Sequence, residues 1–245
     1  MKLDFIFPDW PAPANVQALQ TTRQGGYGAK PFDSLNLGNH VGDNPLLVEK
    51  NRQCLAELLP SEPIWLEQVH GTHVIQAEHA TCHPTADACV ARTANAVCVV
   101  MTADCLPVLL CDQAGTVVAA AHAGWRGLAA GVIEATVNAM NTAPEQLMAW
   151  LGPAIGPSAF EMGKEVRDVF MRHSPATTTA FTPHNEKYLA DIYSLARQRL
   201  SALGVRQVYG GQFCTFSDPR RFFSYRRDGQ TGRMATMIWL KGGLA

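Results

Sequence analysis

Apolar positions along the chain fall mostly into short runs bounded by turn residues, with helical spacing in only a few stretches. Ile64 to Val69, His73 to Ala77, Ala96 to Met101, Leu106 to Cys111 and Thr116 to Ala121 are strand-like runs. Ala149 to Ile155, closed by Gly156-Pro157, then Val205 to Tyr209 and Ala235 to Leu240 complete the series. Short apolar runs of this kind fit buried strands. A helix is predicted over Pro45 to Leu59, with Leu47, Val48, Asn51, Leu55 and Leu58 on one face and Pro60 and Pro63 beyond its end. Three more are predicted over Leu128 to Met140, Glu161 to Met171 and Ile192 to Leu203, the last capped by Gly204. Gly25 to Gly28 and Ser34 to Asn44 read as loops. Strands and helices mix without strict alternation, which favours an α+β fold over a doubly wound one. No linker or repeat interrupts the pattern, so residues 1–245 are expected to form one domain.

Composition narrows the function classes. The chain is 47% hydrophobic and 17% charged, enough for a sizeable core. Its net charge of -1 comes from 20 basic and 21 acidic residues without a charge block, so neither nucleic acid nor a membrane surface is an expected partner. No run reaches the ~20 apolar residues of a membrane helix, and Met1 to Trp10 lacks the regions of a signal peptide. A reducing, cytoplasmic setting is expected, with the seven cysteines as thiols. Arg220, Arg221, Arg226, Arg227 and Arg233 crowd the C-terminal part, as either a solvated loop or a local anion site.

The most informative segment is Thr102 to Pro107 together with Ala121 to Gly127. The runs Leu106 to Cys111 and Thr116 to Ala121 flank Asp112-Gln113-Ala114-Gly115, a hairpin signal. If Cys111 faces Thr116, outward counting sets Cys105 opposite His122. Directly opposed residues have Cβ atoms about 4.5–5.5 Å apart, suitable for two ligands of one ion. Pro107 signals an edge strand or bulge there. His70, at the polar tip of Glu67-Gln68-Val69-His70-Gly71, is the candidate third ligand. One thiolate and two imidazoles would make a three-ligand zinc site with an open position. The same residues also allow a metal-free reading, with Cys105 as nucleophile, His122 as base and Asp104 as orienter. Gly124-Trp125-Arg126-Gly127 precedes a predicted helix, whose N-terminus and Arg126 would suit an anion. His79, Cys82, His83 and Cys89 form a weaker candidate cluster in a Pro-containing loop.

These residues carry a resemblance. Thr21 to Gly26, Ser34 to Gly38, Trp65 to His70, Thr102 to Val108 and Ala121 to Gly127 resemble blocks of the bacterial laccase-domain family, as do Cys214-Thr215, Phe223 to Asp228 and Thr231 to Met234. Members are described as polyphenol oxidases, purine nucleoside phosphorylases or peptidoglycan editing factors. The resemblance implies an α+β sandwich of mixed β-sheets with outer helices, related to the cysteine-hydrolase class. It implies zinc on His70, Cys105 and His122, which are also the catalytic residues. It implies phosphorolysis of adenosine, guanosine, inosine and methylthioadenosine, with adenosine deamination. Arg23, Arg126 and Arg226 are the phosphate candidates; Asn36, Gln68 and Asp104 complete the substrate-binding set. Copper on the same ligands, in a laccase-like oxidase, is an alternative. An amidase editing peptidoglycan precursors is another. The oligomeric state is left open.

Overall fold

The computed structural model describes residues 2–80 and 82–242. In chain order the strands are β1 (Phe5–Ile6), β2 (Val16–Thr21), β3 (Val74–Gln76), β4 (Ala88–Ala91), β5 (Cys98–Thr102), β6 (Leu106–Asp112), β7 (Val118–Ala123), β8 (Leu147–Leu151), β9 (Glu161–Met162), β10 (Phe181–His184), β11 (Lys187–Ala190), β12 (Gln207–Gly210) and β13 (Met234–Leu240). The helices are α1 (Pro45–Ala56), α2 (Trp125–Ala130), α3 (Val132–Met140), α4 (Lys164–His173), α5 (Ile192–Leu203) and α6 (Tyr225–Asp228). The fold is mixed α+β with several sheets. One has the order β1-β2-β13-β5, another β12-β8-β6-β7-β4-β3, and a small third β10-β11-β9.

Alternation along the strands sorts side chains between layers. Cys98, Val100 and Ile238 from the four-stranded sheet meet Cys89, Leu109, Cys111, Ala120 and Trp150 from the six-stranded sheet. The opposite face of the six-stranded sheet, with Val108, Leu110, Ala119 and Ala121, packs on α3 and α5 through Val132, Ile133, Val137, Leu195 and Leu200. Leu55 of α1 joins Leu19, Val99 and Met237 on the outer face of the four-stranded sheet. Two sheets thus pack face to face with helices outside them. The six-stranded sheet is mixed: β12–β8 and β3–β4 are parallel and its other pairs antiparallel. The four-stranded sheet is wholly antiparallel rather than mixed.

Several predicted elements change. Ile64 to Val69 forms no named strand and makes only single bridges, Ile64 to Cys98 and Glu67 to Thr85. The predicted helix over Leu128 to Met140 starts at Trp125 and is divided by Gly131, which at φ 103 terminates α2 in the left-handed region. The start of the predicted helix at Glu161 is instead strand β9, and Gly163 precedes the helix proper. β2, β4 and the β10–β11 hairpin have no counterpart among the predicted runs.

The hairpin of β6 and β7 forms, but in another register. Cys111 pairs with Val118 and Pro107 with His122, instead of Cys111 with Thr116 and Cys105 with His122. The cause is Asp112, whose carboxylate accepts from Thr116 N at 2.7 Å, Thr116 Oγ1 at 2.6 Å and Val117 N at 3.1 Å. These bonds curl Thr116 and Val117 into the loop. A slip by an even number of positions preserves the face each side chain occupies. Pro107 does not lie on an edge strand or bulge either: β6 is interior, between β7 and β8. Its missing N–H falls at the end of the β8 pairing, where Gly152 N donates to Pro107 O at 2.9 Å and Gly152 O accepts instead from the Tyr193 hydroxyl at 3.2 Å.

Candidate metal centre

Three structural segments converge at the end of the β6–β7 hairpin. His122 is the penultimate residue of β7 and is 3% exposed. Cys105 stands just before β6, after Asp104, whose φ of 91 turns the chain sharply. His70 lies on the exposed loop before β3, with φ 60. Left-handed backbone is uncommon for non-glycine residues. The turn at Asp104 is held by its own carboxylate, which accepts from Thr215 Oγ1 at 2.6 Å and Arg226 N at 2.7 Å.

One donor atom from each of His70, Cys105 and His122 lies within 4.8 Å of the other two. Cys105 Sγ is 3.6 Å from His70 Nε2. A tetrahedral ion with ordinary Zn–S and Zn–N bonds would hold sulfur and nitrogen about 3.5 Å apart, so the donor set fits zinc. His122 Nδ1 is 2.8 Å from Asp87 Oδ1, which leaves Nε2 as its inward nitrogen. The rings of His70 and His122 stand edge to face, with centroids 4.7 Å apart. Gly124 closes the floor. A Cβ there would come 2.7 Å from His70 Cδ2 and 2.9 Å from Cys105 Sγ, closer than atoms pack.

The electrostatics favour a charged pair in the metal-free site. Burial opposes ionisation of the Cys105 thiol, but the charges and hydrogen bonds of His122 and His70 outweigh it and draw the thiol down to about 6. Burial likewise opposes charging of His122, yet Cys105 and the Asp87 carboxylate raise it to about 9. Asp87, itself disfavoured as an anion by burial, is held below the usual carboxylate range by His122 and the loop amides.

The cluster opens into a cavity of about 550 Å³. Gln68, Asp104, Arg126 and Arg226 line it; Arg23 and Asn36 do not. Arg23 lies in a separate surface hollow, with Nε on Asp33 O at 2.8 Å and its guanidinium carbon 4.6 Å from the Phe223 ring centroid. Asn36 is fully buried and its Oδ1 accepts from Arg233 N at 2.9 Å, so it anchors a cavity residue from behind. Gln68 spends its amide on Met101, donating to its O at 2.9 Å and accepting from its N at 2.7 Å. Arg226 donates to Glu161 O at 3.0 Å. Arg126, by contrast, rests 4.4 Å from the Trp125 ring centroid, and among the described residues its guanidinium makes no hydrogen bond. The helix it opens, α2, is a single short piece of 6 residues, so the expected helix-end anion site reduces to the Arg126 side chain.

The C-terminal arginines divide. Arg227 is bound to Thr215 O, Phe216 O, Phe222 O and Asp228, while Arg226 and Arg233 face the cavity. His40, Thr102, Trp125 and Phe160 also line it. Thr102 and Trp125 fall within the most informative sequence segments without a role of their own there, while His40, Phe160 and Asp87 carry no site signal in the sequence. His40 sits in a turn-rich loop whose composition carries no sign that it folds back over the site. The weaker candidate cluster is not brought together: Cys82 and His83 are exposed, while Cys89 is buried against Cys98, with sulfurs 3.2 Å apart.

The fold and sequence have well-defined relatives. A curated Escherichia coli protein named purine nucleoside phosphorylase is 57% identical over 238 residues, covering 96% of this chain and 98% of that one. A Pseudomonas aeruginosa protein of the same name is 55% identical, covering 97% of this chain and 98% of its own. A crystal structure of a Neisseria meningitidis protein superposes with a TM-score of 0.94 at 54% identity, covering 97% of this chain and 99% of that chain. The family model described as multi-copper polyphenol oxidoreductase laccase matches residues 17–241, and the chain belongs to that family.

Proposed function

We propose that this chain is a zinc-dependent purine nucleoside phosphorylase that cleaves adenosine, guanosine, inosine and methylthioadenosine. The observation that carries the reading is the cavity itself, which sets the Arg126 guanidinium, stacked on Trp125 but without a hydrogen bond among the described residues, and the aromatic side chains Trp125, Phe160 and Tyr225 beside the His70–Cys105–His122 cluster. Its volume of about 550 Å³ is in the range of small-molecule sites. In phosphorolysis a phosphate oxygen bonds to C1′ of the ribose while the C1′–N9 bond breaks and the purine leaves with the electron pair. Arg126 offers a forked donor to the phosphate dianion. Arg226 and Arg233 add positive charge to the cavity lining. Trp125 and Phe160 contribute aromatic lining for the purine, each with a guanidinium over its ring, Arg126 at 4.4 Å and Arg226 at 5.6 Å from the centroid. Among the described residues the Thr102 hydroxyl is buried without a partner, and Thr102 is part of the cavity lining. An unpaired buried hydroxyl costs about 1–3 kcal/mol, which a polar substrate group would offset. A zinc ion held by His70, Cys105 and His122 would supply Lewis-acid activation, the chemistry that adenosine deamination also needs.

Among the described residues these three are the group of His, Cys and acidic side chains with donor atoms in ligand reach. A laccase-type oxidase uses several copper ions, so phosphorolysis is the better fit to the donor set. Purified protein incubated with inosine should release hypoxanthine and ribose 1-phosphate only when phosphate is present. Release that ignores phosphate would overturn the reading. Arg126→Ala should raise the KM for phosphate roughly tenfold or more, the worth of a charged hydrogen bond. An unchanged KM would remove Arg126 from the phosphate site.

A further inference from the structure

Resting on the metal reading of the site, we propose that Asp87 is its positioning residue: one carboxylate sets both the ring of His122 and the loop that presents His70. Asp87 is fully buried and immediately precedes β4, the strand that pairs with β7. Its Oδ1 lies 2.8 Å from His122 Nδ1 and accepts from His70 N at 2.9 Å. Its Oδ2 accepts from Gly71 N at 2.6 Å and from Val69 N at 3.3 Å. The backbone adds a further tie, with His122 N donating to Asp87 O at 2.7 Å.

Two consequences follow from that geometry. An acceptor at Nδ1 fixes a proton of His122 on that nitrogen and turns Nε2 toward Cys105 and His70, as the nitrogen that would bind a metal. The three loop amides converge on the carboxylate, and that convergence is what holds His70 in its left-handed backbone. A single anion thereby links a ligand on a rigid strand to a ligand on an exposed loop. A carboxylate whose only task was to stabilise the loop would need no bond to His122.

An amide cannot replace it. Every atom facing Asp87 is a donor, so the NH2 of Asn must oppose one of them. Placed toward His122, it would make Nδ1 an acceptor and put the proton on Nε2, where the ligand lone pair is required. Placed toward Gly71, it would displace the loop that carries His70.

The test measures zinc affinity by chelator competition and records the visible spectrum of the cobalt(II)-loaded protein, in wild type, Asp87→Asn and Cys105→Ser. Asp87→Asn is expected to unfold cooperatively yet to bind zinc about 10–100-fold more weakly, with an altered cobalt spectrum. Wild-type affinity and spectrum in Asp87→Asn, with zinc binding abolished in Cys105→Ser, would overturn the role of Asp87 alone. Wild-type zinc binding indifferent to Cys105→Ser would overturn the metal centre and this proposal with it. Should Asp87→Asn fail to fold, nitrogen NMR of zinc-loaded wild-type protein decides. A hydrogen-bonded proton on His122 Nδ1 supports the proposal, and an unprotonated Nδ1 overturns it.

Discussion

The two imidazoles of the candidate centre come from opposite kinds of structure. His122 is buried near the end of β7, in the middle of the six-stranded sheet, with neighbours on both sides. His70 stands exposed on a loop with backbone that non-glycine residues rarely adopt. Cooperative strand pairing holds the first in place for reasons unrelated to chemistry. The second is held by side-chain contacts that serve the site, chiefly those to Asp87. The difference teaches that this centre is half scaffold and half adjustable arm, with Cys105 between them.

The largest expected effect removes the residue where the halves meet. Cys105→Ser should reduce zinc affinity by more than the roughly 10–100-fold that an outer hydrogen-bond partner is worth, and phosphorolysis should fall with it. Zinc titration and product analysis on one preparation check this; full metal content in the variant would break the comparison at its centre.

Next comes the contrast between the histidines. His122→Ala empties a buried position and leaves the Asp87 carboxylate short of a partner, which should cost about 1–3 kcal/mol of metal-free stability in urea unfolding. His70→Ala should cost less than about 1 kcal/mol, because an exposed ring leaves no cavity and the backbone amide still reaches Asp87. Both should lose zinc affinity. Equal destabilisation would show that the loop is as integral to the fold as the strand.

The pH dependence of metal uptake sharpens the same point. At pH 7 the metal-free site holds Cys105 as thiolate, drawn down to about 6, and His122 as imidazolium, raised to about 9. A ligand must be deprotonated, so uptake expels the His122 proton. Apparent zinc affinity should therefore rise about tenfold per pH unit from 7 towards 9 and flatten above. The stability sign is separate. The elevated His122 value contributes stability that is lost as pH rises through about 9, and the depressed Cys105 value contributes stability lost as pH falls through about 6. The metal-free melting temperature should thus be highest between those limits. A flat affinity profile from pH 7 to 9 would reject a charged His122.

The smallest effect is a control on the scaffold. Gly131→Ala, at φ 103 between α2 and α3, should cost about 1–2 kcal/mol without changing zinc affinity. A loss of zinc would mean that the helix junction also positions the site.

Much of this was legible from local pattern. The runs that became β5, β6, β7 and β13 and the helix α5 are long or regular enough for periodicity to expose them, and Gly204 carries its cap role in its residue type. The short pieces were not. The segment from Ile64 to Val69 has strand composition but lacks a continuous partner, and a strand exists only where another backbone pairs with it. Glu161 and Met162 look helical locally, yet β11 recruits them.

The sequence by itself determined the chemical inventory of the candidate site: Cys105, His122 and His70 at the tips of apolar runs, with Arg126 four residues after His122. It also determined the face on which the hairpin places its residues, because alternation survives an even slip in register. Tertiary structure alone decided the rest. Only folding ties Asp87 to both the His122 ring and the His70 backbone, carries Arg233 and His40 to the same cavity, and takes Arg23 away from it. The reason is physical: these placements depend on contacts between residues far apart in the chain, and no local spacing encodes them.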